Sequence, residues 1–329
     1  MNLALLLSPQ GLHNPDHFVF TTTSADGQFV MPLVLGDVYD FDYRVDNGMW
    51  INHTTDSLTI TDLSAIGERI IEINPKSGGF PKFIFNNLGD KSKITEVLQF
   101  GTNAWQSVIG MFYGCNNLKH IRGICNLTVA NSLQDFIRSC TNLISIDVSN
   151  WDVSNIVSLY NFAVANTSLL ALDVSNWNTS NVNDLRGFAI SCNKLTVLDV
   201  SNWDVSKVTT AISFAQNCTL LQSLDVSNWV TNLFTNVSAF ALNCPSLTGL
   251  NPSNWNIANI TTATNFISLN NMTTGVLDQT YINFALQTVK PNVTWRFGTV
   301  QYTIATSQAS RDILTGAPNS WTITDGGGI

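Results

Sequence analysis

Four aspartates stand 26 positions apart, at Asp147, Asp173, Asp199 and Asp225, and Asn251 takes the next place in the series. Each is followed two residues later by a serine: Ser149, Ser175, Ser201 and Ser227. Carboxylates and hydroxyls at a fixed period could grip sugar hydroxyls or the polar groups of a protein. They could also hold a cation, or supply the acid and base of glycoside hydrolysis, which needs two carboxylates facing one bond. Stacked about 5 Å apart, neighbouring carboxylates repel by about 0.8 kcal/mol in water and about 3 kcal/mol at an effective dielectric of about 20. Something must offset that, and the plainest means is hydrogen bonding from the adjacent serine hydroxyls or backbone N–H groups. A bound Ca²⁺ wants about six to eight oxygens in a recognisable loop, and no such motif is present, so no metal is expected.

The elements that position these residues follow from the same period. Trp151, Trp177, Trp203, Trp229 and Trp255 are also 26 apart, inside the phrases IDVSNW, LDVSNW (three times) and LNPSNW. A repeat of this length is one supersecondary unit that cannot bury its own apolar face, so neighbours must stack. The first apolar position of each unit falls at Ile94, Leu118, Leu143, Leu169, Leu195, Leu221 and Leu247, with spacings of 24 and 25 before the regular 26. About seven turns are expected. In the first half of a turn, Leu198 and Val200 point one way from a strand, while Val197, Asp199 and Ser201 point the other. In the second half, apolar residues at Val182, Leu185, Phe188 and Ala189 follow helical spacing, as do Ile156, Leu159, Phe162, Ala163 and Phe234, Val237, Phe240, Ala241. Ser154, Ser180 and Ser206 precede these runs, where helix N-caps would sit. The spacing therefore predicts an α/β solenoid, with a strand and a short helix in each turn around a parallel sheet.

The flanks read differently. Tyr39, Phe41, Tyr43 and Val45 alternate with polar residues and run into Asp46-Asn47-Gly48, a strand entering a hairpin. Phe18–Phe20, Phe29–Pro32, Leu58–Ile60, Ile70–Ile73 and Phe83–Phe85 are further strand candidates, and together they suggest a small β-sandwich. Beyond the repeats, Val276–Val289 predicts an amphipathic helix containing Leu277, Tyr281, Phe284 and Leu286. Asn292–Phe297 predicts a strand, Ser307–Leu314 a second helix and Trp321–Thr324 a last strand. The expected organisation is an N-terminal β-sandwich at 1–90, the repeats at 91–272 and a small α+β cap at 273–329.

The tryptophans are expected in one core corner, each indole N–H on a carbonyl; an exposed platform for sugar rings is the alternative. Cys115, Cys140, Cys192, Cys218 and Cys244 share one repeat position, where Asn166 stands in one turn, while Cys125 lies apart. Buried free thiols are expected, and no C-x-x-C motif points to zinc. His13, His17, His53 and His120 form no metal or triad spacing, and no nucleophile elbow, P-loop or H-E-x-x-H is present. Sequons such as Asn178-Thr179-Ser180 are expected by chance in so Asn-rich a chain.

Composition narrows the partners. Charged residues make up 12% of the 329 residues, with Asn, Ser and Thr filling polar positions, and net charge is -8. A typical domain carries about 25% charged residues. No basic run is present, which argues against nucleic acid and anionic membranes. No apolar run approaches the roughly 20 residues of a membrane span. The stretch Leu3 to Leu7 is too short and lacks a basic flank, so no secretion signal is expected.

The phrase L-D-V-S-N-W-x-x-S-N-V, followed by an aromatic and C-x-x-L, resembles the 26-residue repeat of BspA-like bacterial surface proteins with leucine-rich repeats. The matching residues run from about Thr141 to Trp255. Residues 83–118 resemble that family's lead-in, and SWTITDGGG its C-terminal segment. The N-terminal region is similar to a PKD-like β-sandwich, departing from it at Val45-Asp46-Asn47-Gly48, where Trp-Gly-Asp-Gly is more usual. The resemblance implies adhesion at microbial surfaces, and in phage-encoded members receptor recognition or virion decoration. The expectation is a non-enzymatic recognition, adhesion or structural protein without cofactor, a fibre, decoration or receptor-binding component of a phage virion, with a bacterial cell surface as the alternative place. Its partners would be other virion proteins or a host-surface receptor, protein or glycan, and a homo-oligomer is allowed. A bacterial adhesin and a polysaccharide-degrading enzyme using the aspartates are the alternatives.

Overall fold

The computed structural model of the protein describes residues 13–61, 63, 67–76, 80–268 and 272–329. The stretch Leu3 to Leu7 lies outside the described residues. Strands of the first half are β1 (Phe18–Thr22), β2 (Phe29–Val30), β3 (Phe41–Val45), β4 (Ile51–His53), β5 (Thr59–Ile60), β6 (Arg69–Pro75), β7 (Ile94–Gln99), β8 (His120–Ile121) and β9 (Ser145–Ile146). The hairpin between β3 and β4 turns on Asp46 and Asn47, both left-handed, as a tight hairpin turn requires. Phe83–Phe85 buries its rings in the core but forms no strand.

β7 is the seam of the molecule. It runs antiparallel to β1 on one side and parallel to β8 on the other. One mixed seven-stranded sheet results, in the order β4-β3-β6-β1-β7-β8-β9, with β2 and β5 pairing separately. Phe18, Phe80, Phe83 and Trp105 pack edge to face beneath it, and the buried side chains form one continuous cluster from Phe18 to Trp321.

The expected α/β leucine-rich-repeat solenoid is overturned, and with it a separate N-terminal sandwich. The described residues of the repeats contain no α-helix. The α-helices among the described residues are α1 (Thr274–Ala285) and α2 (Ile304–Thr315), both beyond the repeats. The cause lies in the backbone. Asp135, Asn161, Gly187, Ser213, Ala239 and Asn265 all have φ between 54° and 63°, and so occupy the left-handed region once per repeat. Ser139, Ala165, Ser191, Asn217 and Asn243 form a second such series, with φ between 58° and 61°. A right-handed helix cannot pass through two left-handed residues per turn.

The N–H groups go elsewhere. Those of Leu159, Asn161, Ala163 and Ala165 donate to the carbonyls of Asp184, Arg186, Phe188 and Ile190 in the following repeat, at 2.7–3.0 Å. The N–H of Phe162 between them turns back to the carbonyl of Leu159. Ser154, Ser180 and Ser206 are not helix caps: their N–H groups donate to the side chains of Asp152, Asn178 and Asp204. Isolated parallel bridges such as Ser158↔Asp184, Asp184↔Thr210 and Val197↔Ser223 tie residues 26 apart. Each repeat is thus a coil of tight turns in register with its neighbours.

The last coil supplies β10 (Ala263–Ile267), which forms a parallel three-stranded sheet with β11 (Thr294–Phe297) and β12 (Thr322–Thr324) beyond the repeats. α1 starts at the Thr273 cap, buries Leu277, Tyr281 and Phe284 on one face and packs on α2, while Leu286 is exposed at its end.

Glycines at two positions separate backbone need from tolerance. At Gly187 a Cβ would strike the Asn161 side chain, and φ is +63°. Gly187→Ala is expected to cost about 1–2 kcal/mol. Gly275, on the open surface of α1 with nothing near its Cβ position, should accept Ala with a gain of about 0.5–1 kcal/mol. Chemical denaturation of both variants checks the contrast.

Candidate functional site

The strand-like half of each repeat alternates inward and outward, so Leu198 and Val200 are buried while Val197 and Asp199 are exposed. That alternation brings Asp147, Asp173, Asp199 and Asp225 out on one face as a row. One oxygen of each is engaged by its own serine. Oδ1 accepts the hydroxyl of Ser149 at 3.1 Å, and of Ser175, Ser201 and Ser227 at 2.7 Å. In the last three it also accepts the serine backbone N–H, at 3.0–3.2 Å. Asn251 keeps the motif through the Ser253 N–H at 3.0 Å. These bonds spread the charge of each carboxylate and help offset repulsion along the row. The other oxygen accepts nothing among the described residues. A second, similar series lies at Asp152, Asn178, Asp204 and Asn256, each accepting the N–H two residues on. Hydrogen bonds from Ser154 and Ser206 hold the carboxyls of Asp152 and Asp204 below the usual range.

The tryptophans and cysteines face inward. The indole N–H of Trp151 donates to the Gly123 carbonyl at 3.1 Å, and those of Trp177, Trp203, Trp229 and Trp255 to Val148, Val174, Val200 and Val226 at 2.9–3.0 Å. Their rings meet the column Phe136, Phe162, Phe188, Phe214, Phe240 edge to face. At 4% exposure or less, they offer no platform to a ligand. Cys140, Cys192, Cys218 and Cys244 are buried thiols outside any disulfide, donating to carbonyls of the preceding repeat at 2.9–3.0 Å. Burial pushes the Cys244 thiol up to about 12, which removes it from thiolate chemistry near neutrality. Asn166, in the same column, is fully buried, and neither side-chain amide atom has a partner.

The structure also builds a cleft that the repeat pattern does not announce. It has a volume of about 850 Å³ and lies where the N-terminal segment meets the first repeats, lined by His13, Gln99, Arg122, Gly123, Ile124 and Asp147 among others. The register of β8 on β9 pairs His120 with Ser145, which sets Arg122 beside Asp147. Arg122 Nη1 lies 2.5 Å from Glu96. His13 Nδ1 lies 3.3 Å from Glu72, a buried carboxylate that also takes His17 Nδ1 at 2.6 Å and Arg44 Nη2 at 2.6 Å. Burial raises the Glu72 pKa, but the bonds from His17, Arg44 and His13 outweigh it and the net shift is downward. An ionised carboxylate only accepts, so Nδ1 of both imidazoles carries the proton. Shallower grooves lie between successive repeats, one of about 560 Å³ beside Asn202, Asp204, Asn228 and Val230. Among the described residues no group of three His, Cys, Asp or Glu is arranged to hold a metal ion. No helix among them is long and apolar enough to cross a membrane.

Coils in register, a buried Trp–Phe spine and an outward polar row define a tandem-repeat protein. The chain belongs to the family described as Mycoplasma protein of unknown function, DUF285, whose model matches residues 83–168, 131–253 and 159–279. Those matches overlap and cover more than half of the chain. They are consistent with the resemblance to BspA-like surface proteins. No curated protein and no solved structure matches the chain.

Two substitutions test the side-chain assignments. Asp199→Asn keeps the acceptor for Ser201, as Asn251 does naturally, and should leave the unfolding midpoint unchanged. Asp199→Ala removes it and should cost about 1 kcal/mol. Asn166→Cys replaces an orphaned amide by the residue that fills the column elsewhere. It should raise stability by about 1–3 kcal/mol, the cost of a buried polar group left unsatisfied; a lower midpoint would show that the amide is bonded in solution.

Proposed function

We propose that the chain acts by recognition at a surface, without catalysis, and that the outward row of its repeats is the contact face. One observation carries this reading. Four successive exposed carboxylates each commit one oxygen to their own serine and leave the other to a partner. Glycoside hydrolysis asks two carboxylates to differ, one protonated and one ionised. Equal, exposed carboxylates at each repeat suit a partner that offers hydroxyl or N–H donors along its length, such as a surface glycan or an extended protein segment. Family membership and the resemblance to bacterial surface proteins support the same reading.

The place of action is a cell envelope or a virion. Immunogold labelling with antibody against the chain distinguishes the two, and label confined to the cell interior would remove surface recognition altogether. For the row itself, the combined variant Asp173→Asn, Asp199→Asn, Asp225→Asn preserves the internal acceptors. It should keep its unfolding midpoint and bind target cells more weakly by about tenfold or more. Unchanged binding would take the row out of the contact, and sugar release from cells that these substitutions abolish would replace recognition by hydrolysis.

A further inference from the structure

We propose that the cleft formed by His13, Arg122, Ile124 and Asp147 is a subsite for one neutral sugar residue at the end of a surface glycan. The inference rests on the surface-recognition reading above and names its ligand class. Four observations lead to it.

The cleft, at about 850 Å³, falls within the range of roughly 300–1,000 Å³ that holds small ligands. Its wall is aliphatic: Pro15 and Leu98 line it, and Ile124 is 60% exposed, a large side chain left out of the core. Its polar groups are mixed. Asp147 gives one oxygen to Ser149 and keeps the other as an acceptor. Arg122 uses Nη1 on Glu96 and keeps further N–H donors. His13 turns Nδ1 to Glu72 and lines the cleft. Finally, the cations around it are already matched. Arg122 is matched by Glu96 and His13 rests on Glu72, so no cation remains to hold an anion, and Asp147 opposes one.

A carboxylate and guanidinium N–H groups lining one cleft offer acceptor and donor to the same ligand. Neighbouring hydroxyls of a pyranose satisfy that pairing, and the C–H face of the ring suits an aliphatic wall. Asp147 is the member of the row that lines this cleft. The cleft would therefore fix the end of a chain whose following residues run along Asp173, Asp199 and Asp225.

Saturation-transfer NMR on the full chain tests this with methyl glucoside, methyl galactoside, methyl mannoside and N-acetylglucosamine as probes, and with glucuronate and glucosamine as charged comparators. At least one neutral probe should receive saturation, strongest on its ring C–H protons. Asp147→Asn should weaken it by about tenfold, the loss of one charge-assisted hydrogen bond. Ile124→Trp, an exposed substitution that fills the cleft, should abolish it, and Leu286→Ser, exposed at the end of α1, should leave it unchanged. Absence of binding by all four neutral probes would overturn the proposal, as would binding that survives Ile124→Trp or a preference for either charged sugar. Cell binding separates the two readings. If the three-site row variant loses cell binding while no neutral probe enters the cleft, surface recognition stands and the sugar subsite falls.

Discussion

Backbone hydrogen bonding from one repeat to the next is the constraint on which the rest of this structure depends. In the turn-rich half of each coil, alternate N–H groups donate to the following repeat, as Leu159, Asn161, Ala163 and Ala165 do toward Asp184, Arg186, Phe188 and Ile190. Backbone donors cannot be buried unpaired. Two left-handed residues per repeat turn them outward along the stack instead of back along a helix. The register is then fixed, and every side chain stands above its counterpart 26 positions earlier. The Trp, Phe, Cys and Asp columns are all consequences of that one alignment.

Stacking like on like helps apolar groups and penalises charged ones. The phenylalanine rings of successive repeats lie stacked with centroids 5.3–6.0 Å apart from Phe136 to Phe266, and the tryptophans close their sides. The aspartates receive no such benefit. Ser149, Ser175, Ser201 and Ser227 supply a local hydrogen bond in every repeat, and solvent screens what remains. Asn166 shows the opposite case, an inward polar group whose neighbours offer it nothing.

Much of this was legible in the sequence. The period, the inward and outward positions around Leu198 and Val200, and the approximate places of both C-terminal helices follow from residue spacing. The coil was not, because Val182, Leu185, Phe188 and Ala189 sit at intervals shared by a helix and by a chain of tight turns. The distinguishing feature is a positive φ at Asp135, Asn161, Gly187, Ser213, Ala239 and Asn265. Gly, Asn and Asp in that column are a usable signal, which Ser213 and Ala239 dilute. The carboxylates of the row were identifiable residue by residue. The cleft was not: His13, Arg122 and Asp147 share no motif, and the parallel register of β8 on β9 and the path of the N-terminal segment bring them together.

Repetition also decides where unique chemistry can arise. Within the regular repeats each residue sees copies of itself, so one site implies the same site in the next coil, and unlike groups rarely meet. At the first coils the rule lapses. The spacings there are 24 and 25, the neighbour on one side is the antiparallel strand β1, and Glu96, His120 and Arg122 stand where later coils carry small, apolar or acidic residues. That irregular end is where a guanidinium, an imidazole and a carboxylate meet around a cavity. An extended polar row with a distinct pocket at one end has a direction, and a partner with a distinguishable terminus could be held in one orientation by it.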